Sequence, residues 1–143
     1  LTAPGNDLTL PDLAALTDAF YIGGTKNGAL FGEALVLKKP MERFRWHMKQ
    51  RGAILAKGRL MALQFQALLE DGLYFDIARH ANDMAIRLRD GMAALGYEFP
   101  IPSYQFEPER VVDADHTCVR FVTSWATPQS AVDEFLRDLA ACR

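Results

Sequence analysis

Apolar positions recur along the chain with two periods, near two and near 3.6 residues, and together they lay out the elements. "TLPDLAALTD" has the marks of a short helix. Thr9 caps it, Asp12 completes a capping-box-like pair, and Pro11 is tolerated in the first turn. "AFYIGG" reads as a short buried strand ending at Gly23 and Gly24, and "EALVLKK" as a second strand stopped by Pro40. Residues 41–70 switch to helical spacing. Met41, Phe44, Met48 and Leu55 open an apolar series that Ala62 and Leu69 continue at intervals of seven, with Gly52 and Gly58 placed to bend or break so long a helix. Residues 73–95 form a cleaner amphipathic helix, with Leu73, Ile77, Ala81, Met84, Leu88, Met92 and Leu95 on one face and Gly96 at its end.

The remainder is first broken and then regular. "YEFPIPSYQFEPERVVDAD" is interrupted by prolines and extended, with strand expected at Val111 and Val112. "HTCVRFVTSW" alternates in strand fashion: Cys118, Arg120, Val122 and Ser124 share one face, and Val119, Phe121, Thr123 and Trp125 the other. A final helix starts at Thr127-Pro128, a cap followed by proline, and buries Val132, Phe135, Leu136 and Leu139. The order helix, strand, strand, two helices, strands, helix places the chain in the α/β class. No internal repeat or low-complexity segment interrupts it.

Composition narrows the function. At 143 residues the chain fits one domain of typical size with a sizeable core, and half its residues are hydrophobic. A formal charge of −2, with no long Lys/Arg stripe, argues against a nucleic-acid surface. The most apolar helical stretch, "LMALQFQALL", is short and holds two glutamines, so it does not span a membrane. Two cysteines, Cys118 and Cys142, form no disulfide framework and suit a reducing compartment; with no signal segment at the start, the chain reads as cytoplasmic.

One lysine stands out. In "YIGGTKNGALFGEALVL", Lys26 sits among Gly23, Gly24, Gly28 and Ala29 between two apolar strands. An ordinary turn lysine needs no such neighbourhood. An amine attacks a carbonyl only when unprotonated, so a Schiff-base lysine belongs in a tight, partly desolvated place where small neighbours admit a planar ligand. Thr25 adds a hydroxyl suited to a phosphate oxygen, whereas "GGTKNG" lacks the spacing of a Walker-type phosphate loop. Arg120, inside an otherwise apolar strand between Val119 and Phe121, either pairs with a structural carboxylate or waits for an anionic ligand, and spacing alone leaves the two even. The histidines are weaker. His80 lies at the polar edge of a helix, where a structural or solvated role is expected, and His47 and His116 stand alone. No metal-ligand spacing and no nucleophile elbow is present. Lys49, Arg51, Lys57 and Arg59 read by default as a solvated face, and Glu107, Glu109, Asp113 and Asp115 as an acidic, exposed connection.

Four separated blocks, "FYIGGTKNGALFGEALVL", "KQRGAILAKGR", "ARHANDMAIRLRDGMAAL" and "HTCVRFVTSWAT", in this order resemble the threonine aldolase / β-eliminating lyase family. These are pyridoxal-phosphate enzymes of the aspartate-aminotransferase fold, also called fold-type I. The resemblance runs over nearly the whole chain. It implies that Lys26 holds pyridoxal 5'-phosphate as a Schiff base, that Thr25 lies beside the cofactor phosphate, and that Arg120 grips the substrate α-carboxylate. Lys49 and Lys57 match basic positions near the active site, reaching a neighbouring subunit's cofactor. The implied reaction is retro-aldol cleavage of a β-hydroxy-α-amino acid, L-threonine or L-allo-threonine, to glycine and acetaldehyde, in a homo-oligomer (dimer or tetramer).

The same resemblance divides the chain. Residues 1–40 would be the end of the cofactor-binding large domain, with its sheet edge and the Schiff-base lysine. Residues 41–143 would be long helices and a small C-terminal α/β domain. Family members carry a longer N-terminal part, so the chain is expected to be a C-terminal portion, inactive by itself, that also runs short around Pro102, Ser103 and Tyr104. Two alternatives stand beside the aldolase: another fold-type I enzyme, aminotransferase or β-eliminating lyase, and a non-catalytic piece that packs and oligomerises.

Overall fold

The computed structural model describes residues 1–98, 110–111, 113–115 and 117–142. Val112, His116, Glu107, Glu109 and the positions around Pro102, Ser103 and Tyr104 lie outside the described residues. The chain forms two compact units, Leu1–Arg79 and His80–Arg143.

In the first unit, helix α1 (Leu10–Leu16) opens with the capping box expected from sequence, Thr9 accepting from the Asp12 main chain and Asp12 from the Thr9 main chain. Those hydrogen bonds from Thr9 hold the Asp12 carboxyl below its ordinary pKa. At the other end the Lys38 ammonium donates to the Ala15 carbonyl at 3.1 Å, a cation at a helix C-terminus. Strands β1 (Ala19–Gly23) and β2 (Glu33–Leu37) pair antiparallel, with Phe20 opposite Val36, Tyr21 opposite Leu35 and Ile22 opposite Ala34. β1 is not buried on both faces. Phe20 and Ile22 turn inward, while Tyr21 stays 69% exposed, because these two strands form a two-stranded sheet with one face open.

The helical stretch after Pro40 breaks at its first glycine. Helix α2 (Phe44–Gln50) ends with Gly52 at φ +71, where the Ala53 amide returns to the Met48 carbonyl and the Gly52 amide to Lys49. That pattern is a Schellman motif, whose left-handed residue glycine adopts without a side-chain clash. Gly58 then precedes helix α3 (Arg59–Leu69), which buries Phe65 and Leu68. A 3-10 turn with Asp71 and Gly72 at positive φ separates α3 from α4 (Leu73–Ala94). α4 starts in the first unit and continues into the second. It also closes on a Schellman motif, Tyr97 to Met92 and Gly96 to Ala93.

In the second unit α4 packs against α5 (Gln129–Ala141). A Cβ on Gly91 would sit 2.4 Å from Leu136 Cδ1, so only glycine lets the two helices come this close. Met84, Met92 and Val132 are buried, and Phe135, Leu136 and Leu139 are half-buried. Arg87 reaches Asp133 at 2.5 Å, and this pairing lowers the Asp133 pKa and raises that of Arg87. β3 (Arg110–Val111) pairs antiparallel with β4 (Thr117–Cys118). Within the described residues the ladder covers Thr117–Cys118, and residues 119–124 continue from it. Val119, Phe121, Val122 and Trp125 are exposed among the described residues.

The core is thin for so apolar a chain. Among the described residues no large side chain is fully buried, while Leu30 is 85% and Trp46 73% exposed.

Candidate active site

The connection from β1 to β2 carries Lys26. Asn27 N–H and Ala29 N–H both donate to the Gly24 carbonyl, at 2.9 and 3.0 Å. Gly24 to Asn27 is therefore a β-turn with Lys26 at its third position. Two glycines are required by packing. A Cβ on Gly24 would meet the Gly32 carbonyl at 2.7 Å and Phe65 Cζ at 2.9 Å; one on Gly28, itself at φ +96, would meet Ile77 Cδ1 at 3.0 Å and Leu68 Cδ2 at 3.2 Å. Nothing crowds Gly23.

Three further bonds hold the connection from outside. Asn27 Nδ2 donates to the Tyr74 main-chain carbonyl (2.7 Å), the Tyr74 phenol donates to the Gly23 carbonyl (2.8 Å), and the Leu30 amide donates to Gln64 Oε1 (2.7 Å). Burial pushes the Tyr74 phenol pKa up, with the Asn27 contact acting against it. Gln64 Nε2 is buried without a hydrogen-bond partner among the described residues. Above this anchored base, the Lys26 and Thr25 side chains are exposed, side by side in sequence. The sequence suggested a lysine in a partly desolvated place; in this chain Gly24 is buried and the Lys26 side chain is exposed.

Thr25 and Lys26 are thus brought together by one turn. Lys49 lies on α2 and Lys57 in the link to α3, both exposed and on elements other than that turn. Two open depressions flank α2, one lined by Pro40, Met41, Phe44 and Trp46 and the other by Arg45, Trp46, Lys49 and Ile54; neither Lys26 nor Thr25 lines them. Among the described residues no group of three or more His, Cys, Asp or Glu could hold a metal ion, and no helix is long and apolar enough to cross a membrane. Cys118 and Cys142 are free thiols.

Arg120 belongs to the second unit, in the extended run after β4, and its side chain is exposed. Its segment is tied down on the C-terminal side. The Phe121 ring packs on Phe135 with centroids 5.1 Å apart, the Thr123 hydroxyl donates to the Ala81 carbonyl at 2.8 Å, and His80 Nε2 lies 2.8 Å from the Thr127 carbonyl. The last contact makes that nitrogen a donor. The structural role expected for His80 is what the geometry gives. Thr127 does not cap α5 with its side chain. Its hydroxyl accepts from the Ser124 amide instead (2.8 Å), closing the turn that leads into the helix.

Tyr74, Asn27 and Thr123 carry no mark in the sequence as site neighbours. Their partners lie 51, 47 and 42 residues away, beyond the reach of any local pattern.

Lys26 offers a primary amine with room around it on a hydrogen-bonded turn, and Thr25 a hydroxyl beside it in sequence.

No protein-family model matches the chain. Individual proteins do. A solved structure of Leishmania major threonine aldolase superposes on 99% of this chain at a TM-score of 0.84 and 39% identity. Low-specificity L-threonine aldolase of Pseudomonas sp. (strain NCIMB 10558) is 32% identical over 87% of the chain, and that of Pseudomonas aeruginosa 29% identical over 85%. The α/β fold is therefore that of a threonine aldolase. The chain spans less than half of each relative: 48%, 42% and 41% of their lengths.

Proposed function

We propose, on the premise that the chain is homologous to threonine aldolases over nearly its whole length, that its residues serve a pyridoxal-phosphate-dependent lyase. The reaction is retro-aldol cleavage of L-threonine or L-allo-threonine to glycine and acetaldehyde, carried out by the complete protein. The likeness to the Leishmania major enzyme over 99% of the chain carries this proposal. The anchored turn under Lys26 supports it.

The Lys26 amine is the covalent attachment point for pyridoxal 5'-phosphate, and the Thr25 hydroxyl is a hydrogen-bond partner for the phosphate. When bound, the cofactor's ring stores the electron pair left at Cα as the Cα–Cβ bond breaks. Arg120 takes the substrate carboxylate with its planar fork, which fixes the orientation of the amino acid and so selects the bond to be broken. Lys49 and Lys57 supply positive charge toward the phosphate of a neighbouring subunit. Residues 1–40 act as the end of the cofactor-binding domain and 41–143 as the helices and small domain that follow. The protein works in the cytoplasm as a homo-oligomer. Exposed Leu30, Trp46 and Tyr21, too apolar to stay in water in such number, support a covering partner.

The complete protein, incubated with L-threonine, is expected to release glycine and acetaldehyde in equal amounts. Dialysis against a competing amine should remove the activity, and added pyridoxal 5'-phosphate should restore it. Transamination of threonine with no acetaldehyde would instead assign an aminotransferase. Absence of any cofactor-dependent turnover would leave a non-catalytic role.

A further inference from the structure

We propose that Tyr74 and Asn27 are positioning residues for Lys26: one residue at the start of α4 grips both flanks of the lysine's turn and sets where its amine points. This rests on the assignment of Lys26 as the cofactor-carrying lysine. Tyr74 engages the strand side through its phenol, which donates to the Gly23 carbonyl, and the far side through its own main-chain carbonyl, which accepts from Asn27 Nδ2. Gly23 lies three residues before Lys26 and Asn27 one residue after it.

The bonds inside the turn, both to the Gly24 carbonyl, fix its shape. They do not fix its direction relative to the helices. Packing of Gly28 on Ile77 and Leu68 resists approach toward those side chains but not rocking about them. The two bonds to Tyr74 resist rocking because they are directional and lie on opposite sides of Lys26. A reacting amine displaced by about 1 Å loses much of its rate, so a tie of this kind acts on chemistry as well as on stability. The two contacts can be weakened in turn. Tyr74→Phe removes the phenol's bond to Gly23, together with its contact to the Asn27 side chain, and leaves the main-chain acceptor for Asn27. Asn27→Ala removes the other donor and leaves the phenol in place.

The test measures how fast the complete apoprotein forms a borohydride-trappable bond to pyridoxal 5'-phosphate at Lys26, well below the melting temperature of every variant, together with kcat and KM for threonine. Asn27→Ala and Tyr74→Phe should each slow trapping about tenfold, the scale of one lost hydrogen bond. Each should lower kcat while KM stays within about a factor of two, a loss confined to steps after binding. Asn27→Gln, which keeps the donor, should recover part of the rate, and Asn27→Asp, which keeps the shape without the donor, should not. Val132→Ala, which cuts the α5 core and touches no part of the turn, is the stability control and should leave trapping unchanged. Trapping rates in both variants within a factor of two of the parent overturn the proposal, as does an equal slowing in Val132→Ala. If Asn27→Ala does not fold, Tyr74→Phe decides the matter by itself. A parent that traps no cofactor at Lys26 overturns the functional assignment as well; a parent that traps normally beside unaffected variants overturns only the positioning role.

Discussion

Lys26→Ala in the complete protein is expected to abolish covalent cofactor attachment and threonine cleavage together. The loss in kcat should be about three orders of magnitude or more, the scale seen when a residue that forms the covalent link is removed. The fold should not suffer. Lys26 is exposed at the tip of a turn whose hydrogen bonds run through the Gly24 and Gly23 carbonyls and the Asn27 side chain, none of which the substitution touches. Its effect on stability should stay within about 0.5 kcal/mol, as for a surface change away from caps and core. Lys26→Arg should fail equally. Arginine keeps the charge and the length, but its guanidinium does not deprotonate in a protein and cannot attack a carbonyl. Absorbance of the bound cofactor, acetaldehyde release and thermal melting on the same samples separate lost chemistry from lost structure.

The second large effect belongs to Arg120→Ala. Cofactor attachment should be retained, since the proposal gives that bond to Lys26. On the proposed role, what is lost is a charge-assisted contact to the substrate carboxylate, worth about 1.5–3 kcal/mol for hydrogen bonds to a charged group. Since Arg120 is exposed in this unit, we expect the lower part of the range that a fully buried pair would give. Catalytic efficiency should fall about tenfold to a hundredfold. Reaction specificity should loosen, since an amino acid held less firmly presents other bonds to the ring. Arg120→Lys should restore only part of the rate because the ammonium lacks the planar fork. Steady-state kinetics with threonine, beside a cofactor-binding titration, checks this. Loss of cofactor binding with unchanged substrate affinity would mean that Arg120 serves the cofactor instead.

The parts of the fold legible in the sequence are those whose causes are local. The Thr9–Asp12 capping box, the stop at Gly96 and the amphipathic face of α4 from Ile77 to Met92 each arise within a few residues and appear as read, while Leu73 at its start stays exposed. Gly52 was marked as a place to break the helix, and the left-handed φ it adopts is the reason that α2 and α3 are separate. Less legible is what depends on a partner. "HTCVRFVTSW" alternates like a strand, and among the described residues the ladder covers Thr117–Cys118; alternation describes side-chain direction and does not name the neighbouring strand. Thr127 looked like a cap, but its hydroxyl is engaged by the Ser124 amide. For the site, "GGTKNG" marked a turn of small residues, and Gly24 and Gly28 are close-packed in it. Tyr74, which spans the turn, was invisible, since nothing near it in sequence hints at a contact 51 residues away. The openness of the Lys26 side chain was equally hidden: glycines show where backbones approach, not which side chain is left in solvent.

Every role proposed for the site depends on Lys26 being the lysine that carries the cofactor. The most direct measurement equilibrates the native protein with pyridoxal 5'-phosphate, reduces it with borohydride, digests it and maps the modified peptide by mass spectrometry. One stoichiometric pyridoxyl-phosphate addition is expected on the peptide containing Thr25-Lys26-Asn27, prevented by prior reaction with a competing amine. A stoichiometric addition on Lys49, Lys57 or any other lysine, with Lys26 unmodified, would contradict it.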